Sequence, residues 1–342
     1  LSVAEKIQLL LILATTLAKV CLSALAAPFL PLDKRSRVYR RHVAYSVIRH
    51  LFAQCNSKTE QALSADTDEL YRRWAKKANA DPEKETLADG TEAFWVGSKN
   101  AKTVLLYFHG GGYNLPAFPG HIDFLGRLVK ESDSVTEGGF AALLLQYDVA
   151  PFSPYPRQLA QAAALLNHVR DKLRVATRNI LIGGDSAGAN ISLSVLSHIL
   201  HPHPDGTVPR IKMEEGERLK GALLIAPWTD PFGTEYESLK RNEGKDVLTT
   251  AFLLRWSAAW LSGQPQDAYN RPIAAPAGWW DGVSDVLARF IVTVGADDVL
   301  FDSALDFARG FGKEWRDGND AAVAVAEDEG HVSCILDPAF GF

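Results

Sequence analysis

The chain is short of the residues that staple small or metal-dependent proteins. Its 342 residues include three cysteines, Cys21, Cys55 and Cys334, an odd and widely separated set. That spacing excludes a disulfide framework, and no pair stands at zinc-ligand spacing, so no metal site is expected. An excess of positive charge is missing as well. The formal net charge is −5, which removes the electrostatic reason to expect a nucleic-acid partner. Repeats and low-complexity tracts are absent too. Stability must therefore come from a buried core. Hydrophobic residues make up 47% of the chain, enough for one large domain or two smaller ones.

Long apolar runs are also scarce, with one exception at residues 7–30. This stretch is nearly long enough to span a bilayer. Lys19 sits in its middle, and a charge at that depth costs about 3 kcal/mol. The expectation is a helix buried against the protein or lying on a membrane surface, rather than a span. Pro28 and Pro31 end this helix, and helical spacing of apolar residues continues over residues 39–52 and 64–78. The first residue is Leu1, so a leader could already have been removed. An intracellular protein, with membrane association through residues 1–30, is the localisation expected.

From residue 103 the pattern changes. Short apolar runs occur at residues 103–109, 140–147, 179–184, 219–226, 289–295 and 321–326, and a shorter strand candidate at 93–96 precedes them. Continuous runs of this length fit strands buried on both faces of a parallel sheet. Helical segments at 158–173, 187–200 and 304–315 alternate with them. The pattern predicts an α/β fold with a mostly parallel, doubly wound sheet. Over sixty residues separate the runs at 219–226 and 289–295, too many for a simple connection. Residues 231–263 read as a helical insertion that joins residues 1–80 in a lid over the sheet's C-terminal edge, with 81–342 as the main domain. The insertion's Trp and Phe residues suit an apolar pocket or core equally well.

Gly184-Asp185-Ser186-Ala187-Gly188 lies between a strand and a helix. Such a turn lifts a serine above the sheet in a strained backbone conformation. Side chains at Gly184 and Gly188 would collide with neighbouring backbone. The helix opening at Ala187 directs its amides and positive dipole end at the same place, where an oxyanion would develop. His109-Gly110-Gly111-Gly112 follows the preceding strand of this pattern. Its bare glycine amides, with that of Ala187, can donate to the same oxyanion. A phosphate loop would require Lys-Ser or Lys-Thr after the glycines, but Tyr113-Asn114 stands there. His109 reads as structural.

In this arrangement the acid and then the base follow the serine along the chain. Four histidines remain: His198, His201, His203 and His331. His198 lies on the helix that Ser186 opens. His201 and His203 fall at or past its far end, about 20 Å away at about 1.5 Å per residue. His331, in a loop after the last strand, can reach Ser186. The acid should follow the strand at 289–295, where Asp297 and Asp298 are neighbours that periodicity does not separate. Asp302 is expected to cap a helix starting near Ser303.

Taken together, these motifs resemble the hormone-sensitive-lipase family of esterases, which implies the α/β-hydrolase fold with a helical cap. The resemblance runs from about Lys102 to the C-terminus, through His109–Gly112, Gly184–Gly188, Tyr147-Asp148-Val149-Ala150-Pro151 with Tyr155-Pro156, and Asp298-Val299-Leu300-Phe301-Asp302. The N-terminal helices and Ala226-Pro227-Trp228 look like its fungal branch. The resemblance implies that Asp298 is the acid, that Gly111, Gly112 and Ala187 supply oxyanion amides with Gly110 beside them, and that the lid is a cap domain. One departure stands out. Phe152 occupies a position that is usually acidic in the family, which puts the usual bracing of the oxyanion loop in doubt.

The expected chemistry is cofactor-free ester hydrolysis of an apolar small molecule, through Ser186, His331 and Asp298. Acyl transfer, lactonisation or cyclisation in fungal secondary metabolism would need the same residues. A non-catalytic small-molecule receptor is the remaining alternative. Oligomeric state is left open.

Overall fold

The computed structural model describes residues 2–315 and 320–341. Leu1 and Phe342, the outer ends of the two expected segments, lie outside them. The chain opens with four helices: α1 (Val3–Ala26), α2 (Tyr39–Gln54), α3 (Ser57–Ala62) and α4 (Thr67–Ala78). Two short strands follow, β1 (Lys84–Thr86) and β2 (Glu92–Val96). Then come β3 (Thr103–Phe108), α5 (Pro119–Asp133), β4 (Phe140–Gln146), α6 (Arg157–Asp171), β5 (Ile180–Asp185), α7 (Ala187–Leu200) and β6 (Gly221–Ile225). After β6 come α8 (Glu237–Asn242), α9 (Thr250–Leu261) and α10 (Val283–Val286). The chain closes with β7 (Phe290–Gly295), α11 (Phe301–Phe311), β8 (Ala321–Ala326) and α12 (Ser333–Ala339).

The strands form one eight-stranded sheet in the order β1-β2-β4-β3-β5-β6-β7-β8. Only β1 and β2 run antiparallel to their neighbours; β3 to β8 are parallel. This is the fold expected from the alternating runs. The pleat explains why β3 is apolar throughout: Val104, Leu106 and Phe108 pack into one core and Leu105 and Tyr107 into the core on the other face. The last strand departs from expectation. As the outermost strand, β8 pairs only with β7, and Val323 and Val325 are exposed. A continuous apolar run does not reveal that its strand stands at an edge.

The parallel order places the turns after β3, β5, β7 and β8 along one edge. The chain between β6 and β7 returns over that edge. Helix α9 carries Phe252, Trp256 and Trp260 on its buried side, four residues apart. Trp260 stacks on Tyr113, with ring centroids 3.7 Å apart. Trp256 meets Phe52 of α2 edge to face. The N-terminal helices and the insertion therefore pack together above the site.

Helix α1 buries Ile12 but leaves most of its large apolar side chains exposed. Thr16 and Ser23 are buried against the protein, and Glu5 pairs with Lys58, while Ile7, Leu10, Leu17, Leu22 and Leu25 are exposed. The segment Glu5–Phe29 has a mean hydropathy of 2.2 and is long and apolar enough to cross a membrane. The structure keeps the helix at the surface, antiparallel to α2, with Gln54 reaching Thr15 and Tyr39 reaching the Ala24 carbonyl.

Candidate active site

Strand β5 delivers Ser186 into a turn with φ 53° and ψ −116°. A non-glycine residue held there carries about 1–3 kcal/mol of strain, which the surroundings must offset. Part of the offset is visible. The Ser186 amide donates to the Ile225 carbonyl, and its carbonyl accepts from Asn190 and Trp228. The flanking glycines allow the turn to form. A Cβ on Gly184 or Gly188 would lie 2.2 Å or 1.8 Å from the Phe108 carbonyl oxygen, closer than any side chain can approach.

The loop after β3 meets this turn. Gly111 and Gly112 have φ of +109° and +60°, backbone that favours glycine. A Cβ on Gly112 would lie 2.3 Å from the Trp256 ring. Gly110 differs from its neighbours: its amide donates to Asp185 Oδ1 at 2.9 Å. Among the described residues, no acceptor meets the amides of Gly111, Gly112 or Ala187, and Ala187 opens α7, where amides lack helical partners. These amides, from the loop after β3 and the turn after β5, thus differ from that of Gly110, which is used within the protein.

Asp185 is a structural residue that sequence reading passed over, because it falls on an unspecified position of the Gly-x-Ser-x-Gly pattern. It is buried and also accepts from Tyr107 Oη at 2.8 Å and from His121 Nε2 at 3.2 Å. The His121 tautomer follows from its other nitrogen, which accepts from the Phe118 amide. Burial disfavours the charge on Asp185, but His121 and the Tyr107 hydroxyl outweigh it and lower the pKa. The loop has further supports. Tyr147 Oη donates to the His109 carbonyl. Gln61 of α3 donates to the carbonyls of Asn114 and Ala150 at 2.8 and 2.7 Å. Asn114 donates to the Gly112 carbonyl. The doubt raised by Phe152 is thereby answered: that side chain is 74% exposed, and the N-terminal helices brace the loop from another side.

His331 lies in the loop after β8, and its Nδ1 stands 2.9 Å from Asp298 Oδ2. Both are buried. With Nδ1 facing a carboxylate, the proton sits there and Nε2 keeps its lone pair. Burial by itself would lower the His331 pKa. The charge and hydrogen bond of Asp298, then the charges of Asp246 and Asp185, overcome this and raise it. The structure separates the two adjacent aspartates. Asp297 pairs with Lys245 at 2.8 Å, whereas Asp298 faces His331 and accepts from the Leu300 amide at 2.7 Å.

The other histidines are engaged elsewhere. His198 bonds the Pro209 carbonyl, His201 the Trp279 carbonyl and His203 the Tyr155 hydroxyl. His109 stacks on Tyr147 with centroids 4.1 Å apart, and burial pushes its pKa down to about 3. The cap expected from Asp302 is not formed. Helix α11 begins at Phe301, and the Asp302 carboxylate instead accepts from the Ser238 amide at 2.7 Å, tying down α8. A tertiary partner has taken the carboxylate that a local reading gave to the helix.

Ser186, His331, Gly111 and Gly112 line one cavity of about 260 Å³. Its apolar wall includes Phe52 from α2, Leu115, Phe118, Val247, Trp256 and Leu336. Trp256 is held in place through Nε1, which donates to the buried Glu60 at 3.0 Å. An apolar chamber thus closes over a hydroxyl, an imidazole backed by a carboxylate, and free backbone amides. Among the described residues no cluster could hold a metal ion.

A family described as alpha/beta hydrolase fold matches residues 105–335. An acetyl-hydrolase of Streptomyces hygroscopicus is 28% identical over 58% of this chain and 58% of its own length. A probable carboxylesterase of Arabidopsis thaliana is 25% identical over 68% and 65%. A putative steryl acetyl hydrolase of Schizosaccharomyces pombe is 24% identical over 66% and 59%. The chain thus spans about three fifths of the length of these curated relatives. Among solved structures, a thermostable esterase from Pseudomonas putida superposes with a TM-score of 0.66 at 21% identity, covering 89% of this chain and 91% of that one. At that identity the superposition speaks for the fold.

Proposed function

The chain belongs to the alpha/beta hydrolase fold family, and from that premise we propose that it is a serine carboxylic-ester hydrolase. The observation that carries the reading is that His331, held by Asp298 at 2.9 Å, lines one apolar cavity with Ser186. Ser186 Oγ attacks the ester carbonyl as His331 Nε2 takes its proton. Asp298 holds the imidazole in the tautomer that leaves Nε2 free and stabilises the imidazolium. The amides of Gly111, Gly112 and Ala187 receive the oxyanion. His331 protonates the departing alcohol, then activates the water that frees the acid. No cofactor enters any step.

The cavity bears on the substrate. At about 260 Å³ it falls just below the roughly 300–1,000 Å³ typical of sites for drug-sized ligands. It fits an ester with one short arm, such as an acetyl or butyryl group. Two of the relatives above carry acetyl-hydrolase names, which favours water as acyl acceptor over a second alcohol. The motif set and the Schizosaccharomyces pombe relative also support placing the chain in the fungal branch of the hormone-sensitive-lipase family. The N-terminal helices and the β6–β7 insertion act as its cap. The exposed apolar face of α1 is read as resting on a lipid surface. Helix α1 packs on α2, whose Ile48, Leu51 and Phe52 line the cavity, so such a contact would bring the site close to lipid-dissolved esters.

The test is Ser186→Ala, assayed on p-nitrophenyl acetate and butyrate. Turnover should fall by several orders of magnitude while circular dichroism and the unfolding midpoint stay near wild type. Near-wild-type activity in the variant would end the assignment.

A further inference from the structure

A second carboxylate adjoins the Asp298–His331 pair. Asp246 stands on the segment between α8 and α9 and is fully buried. Its Oδ1 accepts from the His331 amide at 2.8 Å and from the Val247 amide at 2.6 Å. Its Oδ2 accepts from the Val299 amide at 2.7 Å. One side chain from the insertion thus joins two loops 32 residues apart in sequence, the loop that carries the acid and the loop that carries the base. The fit is close: a Cβ on Gly330 would lie 3.1 Å from Asp246 Oδ1.

Burying an ionisable group in this way has a high cost. A buried backbone amide needs an acceptor, but a neutral carbonyl would serve each amide. A carboxylate adds a negative charge near the imidazole, where positive charge develops in the reaction. We propose that Asp246 is a positioning residue, which fixes the acid and base loops against each other and assists Asp298 in stabilising protonated His331. The inference rests on the esterase reading of Ser186, His331 and Asp298.

The electrostatics around Asp246 set the pH range in which it carries that charge. Burial first, then the Asp298 charge, push its pKa up to about 7, while His331 and the donated amides pull it down. Three carboxylates, Asp246, Asp298 and Asp185, act on His331. The other ionisable groups that face Asp246 are Tyr45 and Arg49 of α2. Arg49 also donates to the Asp246 carbonyl. Beside Asp246, Lys245 is engaged by Asp297.

The sign follows directly. His331 works as a base only when neutral, so activity rises with pH as it loses its proton. Any charge that raises its pKa moves that acidic limb to higher pH. Asp246→Asn removes one such charge and sets an amide donor against a backbone donor. The expected result is a fall in kcat/KM of about ten- to a hundredfold from misplacement of the pair, with the acidic limb shifted to lower pH. Asp246→Glu keeps the charge, so its limb should stay near wild type although kcat falls. A role confined to folding would lower the unfolding midpoint without moving the limb.

A folded Asp246→Asn protein with wild-type kcat/KM and an unmoved limb overturns the proposal. If neither variant folds, ¹³C carboxyl NMR of the wild-type protein decides. A carboxyl that titrates together with His331 supports the proposal, and one that titrates without reference to it overturns it. If the wild type turns over no ester, the esterase reading fails separately. The same limb is then read from the pH dependence of Ser186 labelling by a fluorophosphonate.

Discussion

Trp256 sets the width of the cavity, and removing it should change which esters fit. Its ring lies against the glycine loop, so close that Gly112 could not carry a Cβ. It meets Phe52 with ring centroids 6.2 Å apart and donates to Glu60. Trp256→Ala opens a space beside Ser186 that a longer acyl or alcohol chain can fill. Each methylene moved from water into that space contributes about 0.8 kcal/mol, close to fourfold in kcat/KM. Hexanoate carries four more methylenes than acetate, so the hexanoate-to-acetate ratio should rise by up to roughly 200-fold. The substitution also costs about 3–5 kcal/mol of stability, so the assay belongs well below the unfolding midpoint. Trp256→Leu keeps part of the packing and should show the same direction with a smaller shift. The measurement is kcat/KM for p-nitrophenyl esters of rising acyl length and for alkyl acetates of rising alcohol length. Unchanged ratios in both series, in a protein that circular dichroism shows to be folded, would refute the assignment of Trp256 to the cavity wall.

Two further outcomes follow from the same structure. Asp185→Asn should weaken the bracing of the glycine loop: losing one charged hydrogen bond costs about 1.5–3 kcal/mol, and kcat should drop along with the unfolding midpoint. Wild-type values of both would show that Gly110 does not depend on this carboxylate. The exposed face of α1 should carry the full chain to the top of a density gradient with phospholipid vesicles. Replacing Leu10, Leu17 and Leu25 by Gln should leave the protein at the bottom with its activity on soluble esters intact, and equal flotation of the two proteins would contradict the lipid contact.

The readable parts of the sequence share a physical trait: each is local. The runs that became β3 to β6 are apolar because both faces of a parallel strand are covered. Gly184 and Gly188 flag a backbone approach that nothing larger permits. Chain order and reach single out His331 among the histidines after Ser186. Where two outcomes share a local pattern, the sequence misled or stayed silent. The run of β8 looks buried yet stands at an edge. Asp302 reads as a cap because any aspartate near a helix start does, but Ser238 reaches it first.

What the sequence determined by itself was the order of strands and turns, the glycines that allow the turn at Ser186, and the set of side chains able to do the chemistry. Tertiary structure alone decided which of them meet. It paired Asp298 with His331 and Asp297 with Lys245, and it assigned the Gly110 amide to Asp185. It also brought Asp246 of the insertion under both loops. The physical reason is that a buried carboxylate is defined by the donors that surround it, and those donors come from segments far apart along the chain.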